Sequence, residues 1–245
     1  MKWYPVFYRE MLLFRKKVLK FGYVFSSLLF PIIYLLAFGF GLGREIRVGD
    51  SSYVEFLLPG IVALTSMTNS FNLVSNALSM GRLYFKSFQV IKQSPTPPAA
   101  IMIGITLSGI VRGMAAAAVI FIVGFVLFGI FPFTPLSFLG LLLNLVLFSC
   151  MGVVVGMLTK DPEDNALYTN FIIMPMAFFS GSFFPVEKLP SLVRGVVTVM
   201  PLHYTNILMR SREITGREGA AVVILLACSL ALFLYGARRI RNYSE

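Results

Sequence analysis

Apolar residues run almost unbroken through six stretches of the chain, at about Phe21–Leu42, Phe56–Met80, Ala99–Phe128, Leu136–Leu158, Ala166–Phe184 and Gly219–Ala237. At 1.5 Å per residue each can cross roughly 30 Å of hydrocarbon. The runs are apolar on all sides rather than alternating, which predicts helices and not the strands of a closed barrel. The expected fold is an all-α integral membrane protein. It has six transmembrane helices, an N-terminal amphipathic interfacial helix, and a broken re-entrant segment between helices five and six. One domain covers 1–245: the interfacial helix at 1–20, five spans within 21–184, the re-entrant segment at 185–218, the sixth span at 219–237 and a tail at 238–245.

Two amphipathic stretches stand outside the spans. In Trp3–Lys20, helical projection aligns Phe7, Met11, Phe14, Val18 and Phe21 opposite Arg9, Lys16 and Lys20, the pattern of a helix lying on a membrane surface. Gly81–Pro98 sets Leu83, Tyr84, Phe88 and Ile91 against Arg82, Lys86 and Lys92, then stops at Pro95, Pro97 and Pro98, which predicts a second short helix. Beyond the fifth span, Phe184-Pro185 and Leu189-Pro190 break the chain. Ser191–Met200 then places Leu192, Val193, Val196, Val197 and Met200 on one face before Pro201 breaks it again.

Polar residues inside the spans are candidates for chemistry, because a polar group facing lipid is costly. Thr65, Asn69, Asn72, Asn76 and Ser79 recur at helical spacing on one face of the second span. They serve either as hydrogen-bonded contacts between helices or as a polar wall beside a route. Arg112 sits near the middle of the third span, and since no acidic residue lies in any span, a helix carbonyl, an asparagine or water is the expected partner. Tyr168, Thr169, Asn170, Met174 and Phe178 surround Pro175 in the fifth span, as lining or as core packing. Asp164 or Asn165 is suited to cap that helix. Glycines at i and i+4 (Gly39/Gly43, Gly109/Gly113, Gly152/Gly156) allow close helix contacts, within or between subunits.

Composition agrees with the pattern: 57% of residues are hydrophobic and mean hydropathy is +0.81. The net charge of +10 does not point to nucleic acid, because Lys and Arg flank the spans. Lys2, Arg9, Arg15–Lys17 and Lys20, then Arg82, Lys86 and Lys92, then Lys160, then Arg238, Arg239 and Arg241 fall on one side, so the positive-inside rule puts both termini in the cytoplasm. Cys150 and Cys228 both fall inside spans, as small apolar fillers. His203 has no partner for a metal site or a catalytic pair nearby; a local hydrogen bond is its expected role.

The order Phe179-x-Gly181, Phe184-Pro185, Leu189-Pro190, Pro201-Leu202-x-Tyr204 and a following Arg210 resembles the membrane-spanning subunit of type-2 ATP-binding-cassette exporters (daunorubicin-resistance, Nod-factor and O-polysaccharide export permeases). The resemblance covers essentially the whole chain. It implies a permease of the bacterial or archaeal cytoplasmic membrane, paired as a homodimer and powered by a separate ATP-binding-cassette ATPase that holds ATP and Mg. No phosphate-cradling G-x-x-x-x-G-K-[ST] loop occurs in this chain, so nucleotide would bind elsewhere. It further implies coupling to that ATPase through Tyr84, Phe85, Lys86, Phe88, Gln89 and Ile91, although every charge in this loop is positive where many relatives carry acidic residues. Phe183, Phe184, Pro185, Pro190, Pro201 and Tyr204 would form an outer gate. The route candidates are Asn69, Asn72, Asn76, Arg112, Tyr168, Asn170, Met174 and Phe178. The expected function is ATP-driven export of an amphiphilic or hydrophobic substrate (drug, lipid or lipid-linked glycan) from the cytoplasm or inner leaflet. The alternative is a stand-alone ion-coupled secondary transporter or channel, which would ordinarily need an intramembrane Asp, Glu or His. A lipid-acting enzyme would require a nucleophile and base at membrane depth, and no such pair emerges.

Overall fold

The computed structural model describes residues 2–18, 21–41, 47–48 and 51–243. Its centre is α3 (Tyr53–Leu83), which begins at a capping box: the Ser52 hydroxyl accepts from the Glu55 amide (3.3 Å) and the Glu55 carboxylate accepts from the Ser52 amide (3.1 Å). A two-residue ladder, Arg47–Val48 with Ser51–Ser52, precedes it. Around α3 pack α5 (Pro98–Phe128) and α6 (Pro135–Leu158), and α11 (Gly216–Arg241) packs mainly on α6. These four helices are each long and apolar enough to cross a membrane. They enclose four of the predicted runs with ends shifted by only a few residues. α3 is buried along most of its length, whereas α11 buries one narrow stripe and leaves most of its surface outward.

Glycines set how closely the central helices approach. A methyl group on Gly152 would stand 2.8 Å from the Phe71 carbonyl oxygen, and one on Gly156 would stand 3.0 Å from that of Ser75. On α5, Gly113 faces the Ser66 carbonyl in the same way. The Gly109/Gly113 and Gly152/Gly156 pairs are therefore spent within this chain, bringing α5 and α6 onto the α3 backbone. Gly39 meets the Phe128 ring, while Gly43 lies outside the described residues.

The other two runs differ from a plain span. α2 (Phe21–Gly41) is a 21-residue helix with Pro31 inside, and Leu42 falls outside the described residues. The predicted fifth span is one continuous helical segment, but it is not α-helical throughout. It consists of α7 (Asp164–Tyr168), a π-helical turn (Thr169–Ile173) and α8 (Met174–Phe179), with right-handed helical backbone at both junctions, and it ends five residues early. Pro175 accounts for the turn: with no amide hydrogen it cannot donate to the preceding turn, and the helix widens just before it. Asp164 does not cap α7 in the expected sense. Its carboxylate accepts from the backbone amides of Asp161 and Lys160, which hold it below the usual carboxylate range, and so braces the turn after α6.

α1 (Tyr4–Val18) lies against α5 through Val6, which faces Gly104. Its most buried residues are Val6 and Glu10 rather than the Phe7–Met11–Phe14 stripe, and Lys20 lies outside the described residues. Lys86, in the left-handed conformation (φ 54°), turns the chain from α3 into α4 (Ser87–Gln93). Leu83 belongs to α3, so the second amphipathic helix is shorter than its sequence pattern. Lys92 donates to the Ile240 and Arg241 carbonyls (2.9 and 2.8 Å), fastening α4 to the end of α11.

After α8 the chain turns through Ser180–Phe184 and a 3₁₀ turn (Val186–Lys188), then forms α9 (Ser191–Val197) and α10 (Pro201–Arg210). Of the predicted apolar face of α9, Val197 is buried and Val193 and Met200 half-buried, but Leu192 and Val196 point outward. Pro201 occupies the first turn of α10, where its missing amide hydrogen costs nothing. Cys150 is buried and Cys228 half-buried, and both are free thiols.

Candidate functional site

The polar stripe of α3 divides along its length. Thr65 and Asn69 are buried, Asn72 is half-buried and Asn76 is exposed. Ser79 bonds across to Thr159 of the α6 terminus (2.8 Å). Asn69 Nδ2 donates to the Thr65 carbonyl (3.0 Å) and Asn76 Nδ2 to the Asn72 carbonyl (2.9 Å), so each carboxamide is held along its own helix. The hydroxyl of Thr169, in the π-helical turn, donates to Asn72 Oδ1 (2.8 Å) and ties the fifth segment to the stripe.

Between these elements and α2 lies a cavity of about 350 Å³. Asn69, Asn72, Thr68 and Thr169 supply its polar lining, and Phe30, Tyr34, Met174 and Phe178 its apolar lining. Among the described residues no Asp, Glu, Lys, Arg or His lines it. Of the eight predicted route residues it unites Asn69, Asn72, Met174 and Phe178. Asn76 lies further along α3. Tyr168 and Asn170 are on the same segment but outside the lining. Thr169, expected with the fifth-span residues, is in the lining; Phe30 and Tyr34 were missed, and Pro31 inside α2 was the available signal.

Toward the start of α3 the lining residues Tyr34 and Phe178 join an aromatic cluster. Phe183 packs on Phe178 (5.6 Å between centroids), Tyr34 (5.4 Å) and Phe38 (5.3 Å). Its backbone is fixed by Tyr53, whose hydroxyl donates to the Phe183 carbonyl (2.8 Å). The turn that carries it is clasped by Arg210, whose guanidinium donates to the carbonyls of Phe56 (3.1 Å), Gly181 (2.8 Å) and Ser182 (3.1 Å) and lies 3.6 Å from the Phe56 ring centroid. Asn206 adds a donor to Ser182 Oγ (3.1 Å). Gly181 is the one residue of the turn with positive φ (87°). Phe183 thus lies outside the cavity lining, packed behind Tyr34 and Phe178, with Phe184 half-buried beside it. Pro185 borders a separate polar pocket with His203, Pro190 is exposed, and Tyr204 donates to the Thr198 carbonyl (2.7 Å). His203 is buried, its imidazole pushed below the ordinary histidine range by burial. Its Nδ1 has no hydrogen-bond partner among the described residues, while a hydrogen bond to the Ser180 backbone, the local contact expected of it, works against the shift.

Arg112 points away from this cavity. Its expected partners were a carbonyl, an asparagine or water; the Leu73 carbonyl is one, at 3.4 Å. The main partner, however, is Glu10 of α1: Arg112 Nη2 donates to the Glu10 carboxylate (3.0 Å) and to its backbone carbonyl (2.8 Å). Arg9 in turn donates to Glu10 (2.7 Å) and to the Ser87 hydroxyl of α4 (2.7 Å). The chain Ser87–Arg9–Glu10–Arg112 thus joins α4, α1 and α5. A second buried network was also missed: Asn144 of α6 donates to Ser66 (2.8 Å) and the Ala63 carbonyl (3.1 Å), and accepts from Thr205 of α10 (3.0 Å).

The predicted coupling residues divide too. Phe88 is 2% exposed and packs into a core cluster with Val6, Val74 and Ile240, and Gln89 donates to the Arg82 carbonyl (3.0 Å). Ile91 is half-buried. Tyr84 (71% exposed), Phe85 (65%) and Val90 (68%) stand outward, with Lys86 also exposed.

Four helices long and apolar enough to cross a membrane, with a polar-lined cavity beside the central one, have the architecture of a multi-pass membrane protein. The model of the ABC-2 type transporter family matches residues 6–214, and the chain belongs to that family. It is 27% identical over 177 residues to the inner membrane transport permease YadH of Escherichia coli K12, covering 70% of this chain and 68% of that one. To nodulation protein J it is 28% identical over 213 residues in Rhizobium meliloti (83% of this chain, 78% of that one) and 27% over 221 residues in Rhizobium leguminosarum bv. viciae (86% and 81%).

Proposed function

We propose that this chain is the permease subunit of an ATP-driven exporter: two copies pair in a cytoplasmic membrane, a separate ATP-binding-cassette subunit with ATP and Mg docks at the α4 end, and an amphiphile leaves through the cavity beside α3. The observation that carries the reading is the cavity itself. It offers uncharged hydrogen-bonding groups on one wall and aromatic and thioether groups on the other, which suits a molecule with a neutral polar part and an apolar body. A π-helical turn supplies part of the wall, a feature frequent at functional sites.

In this reading all six runs cross the membrane, α2 and the α7–α8 segment included. The turn Ser180–Phe184 with α9 and α10 forms a re-entrant segment on the outer side, and both termini are cytoplasmic. Tyr84, Phe85 and Val90, rather than Phe88, would meet the ATPase, because they present apolar surface outward at the basic end of the molecule. Movement there would reach α5 through Ser87, Arg9, Glu10 and Arg112. The lack of a carboxylate or imidazole in the cavity lining gives an ion-coupled carrier no ligand for its coupling ion there.

The test is co-purification of this chain with an ATP-binding-cassette subunit, followed by ATPase assay of the complex in lipid. A stable complex whose ATPase depends on this chain supports the reading. A folded chain that neither binds nor stimulates any such subunit overturns it.

A further inference from the structure

Three arginines from two helices converge at the α4 end of the molecule. Arg82, from the last turn of α3, and Arg238 and Arg239, from the last turn of α11, line a cavity of about 450 Å³ with Tyr235, Asn242 and Tyr243. Among the described residues none of the three is ion-paired; the ion pairs there involve Arg9, Arg112 and Arg217. Arg82 donates to the Thr159 carbonyl and lies 5.7 Å from the Tyr243 ring centroid, and its Nε is buried without an acceptor. Arg239 Nε donates to the Tyr235 hydroxyl (2.9 Å), which holds that guanidinium at the rim.

Basic residues at the end of a membrane helix are ordinary, and Arg238 and Arg239 alone would mean no more than that. Two further features distinguish this place. The third guanidinium comes from a different helix, which turns a charged helix end into a concave pocket. The outward face of α11 also continues from it as an apolar stripe: Val223, Leu226, Leu230 and Leu234 are all exposed and follow one another at helical spacing, and Arg238 stands one turn beyond Leu234.

We infer that this pocket binds the headgroup of an anionic phospholipid, its phosphate against Arg82, Arg238 and Arg239 and an acyl chain along Leu234, Leu230 and Leu226. Guanidinium groups bind phosphate oxygens through charge-assisted hydrogen bonds, and three of them from two helices converge on this one pocket. A zwitterionic choline headgroup would bring its own cation into the same cluster and is disfavoured. An acidic protein surface would complement the arginines but leaves the adjoining apolar stripe without a role, whereas a phospholipid uses both.

The experiment is a lipid titration of the purified full-length chain in detergent, read by native mass spectrometry, with phosphatidylglycerol, phosphatidylcholine and inorganic phosphate as probes. The wild type is compared with Arg238→Gln/Arg239→Gln, whose exposed positions leave the fold intact, with the further Arg82→Gln variant, and with Lys2→Gln/Lys16→Gln, one just before α1 and one on it, as a charge-matched control. At about 1 kcal/mol per basic residue, the double variant should lose phosphatidylglycerol affinity by on the order of thirtyfold and the triple variant by more than a hundredfold. The control should lose little, and phosphatidylcholine should bind weakly throughout. Equal phosphatidylglycerol affinity in the wild type and the double variant would overturn the proposal. So would inorganic phosphate binding as tightly as the lipid, which would mark a site for soluble anions, or a loss in the α1 control as large as that in the double variant.

Discussion

The Glu10 carboxylate and the Arg112 guanidinium meet at 3.0 Å, although one belongs to an amphipathic helix and the other to the middle of a long apolar one. Both are almost sealed, at 7% and 5% exposure. A buried ion pair is a poor source of net stability, but removing one partner leaves the other charge uncompensated. Glu10→Leu, which strands the Arg112 charge, should cost about 3–5 kcal/mol, and Arg112→Leu less, because Arg9 still meets the Glu10 carboxylate at 2.7 Å. The double variant Glu10→Leu/Arg112→Leu should recover much of that loss. Thermal unfolding of the four proteins in one detergent checks this; strictly additive losses would mean that the two side chains act independently.

Arg210 makes three carbonyl contacts with one planar group while covering the Phe56 ring, a geometry an ammonium cannot reproduce. Arg210→Lys should therefore loosen the Ser180–Phe184 turn despite keeping the charge. Limited proteolysis around Phe184–Lys188 should accelerate several-fold, and a rate equal to wild type would show that the clasp is dispensable.

Gly152 lies against the backbone of α3, which cannot yield as the tip of a side chain can. Gly152→Val should cost about 1–3 kcal/mol or prevent folding by forcing α6 from α3. Gly41→Ala, with open space around it, should be close to neutral. Comparable yields and melting temperatures for the two variants would contradict this packing.

Phe88 and Phe85 are two aromatic residues of one loop with opposite surroundings. Phe88→Asp places a charge in the core beside Val6 and Ile240 and should abolish folding. Tyr84→Asp/Phe85→Asp should leave membrane insertion and melting temperature near wild type while removing stimulation of an ATP-binding subunit. If the double variant stimulates normally, that surface is not where the subunit docks.

What was legible in the sequence was mainly what periodicity and hydrophobicity encode. The Phe56–Met80 and Leu136–Leu158 runs lie inside the observed α3 and α6, because such stretches have few alternatives to a buried helix. The fifth run reads as one span and forms one continuous helical segment, but its π-helical turn was not legible, because the composition of a window does not weigh the one missing amide hydrogen of Pro175. In the cavity, Asn69 and Asn72 were legible through their spacing on one helix, and Thr169 as a hydroxyl of the fifth span. Phe30 and Tyr34 were not, because their nearness to α3 depends on how α2 packs. Glu10 was overlooked for a related reason: a carboxylate on an amphipathic helix reads as solvent-facing, and only its position four residues after Val6, on the side turned to α5, reverses that. An arginine in a span with no intramembrane acid was the usable signal that a carboxylate should be sought on the neighbouring amphipathic helix.

The central claim is that the cavity bounded by Asn69, Asn72, Thr169 and Phe178 is the route of an ATP-powered permease. The most direct measurement is ATP-driven transport of an amphiphilic dye in vesicles holding this chain with its ATP-binding subunit, for wild type, Asn69→Leu/Asn72→Leu and Asn76→Leu, with thermal stability recorded in parallel. The predicted result is a loss of transport of about tenfold or more in the double variant, as for removal of two hydrogen-bonding contacts, with little change in melting temperature and near-normal transport for Asn76→Leu. Undiminished transport in the double variant, or a loss that merely tracks unfolding, would contradict it.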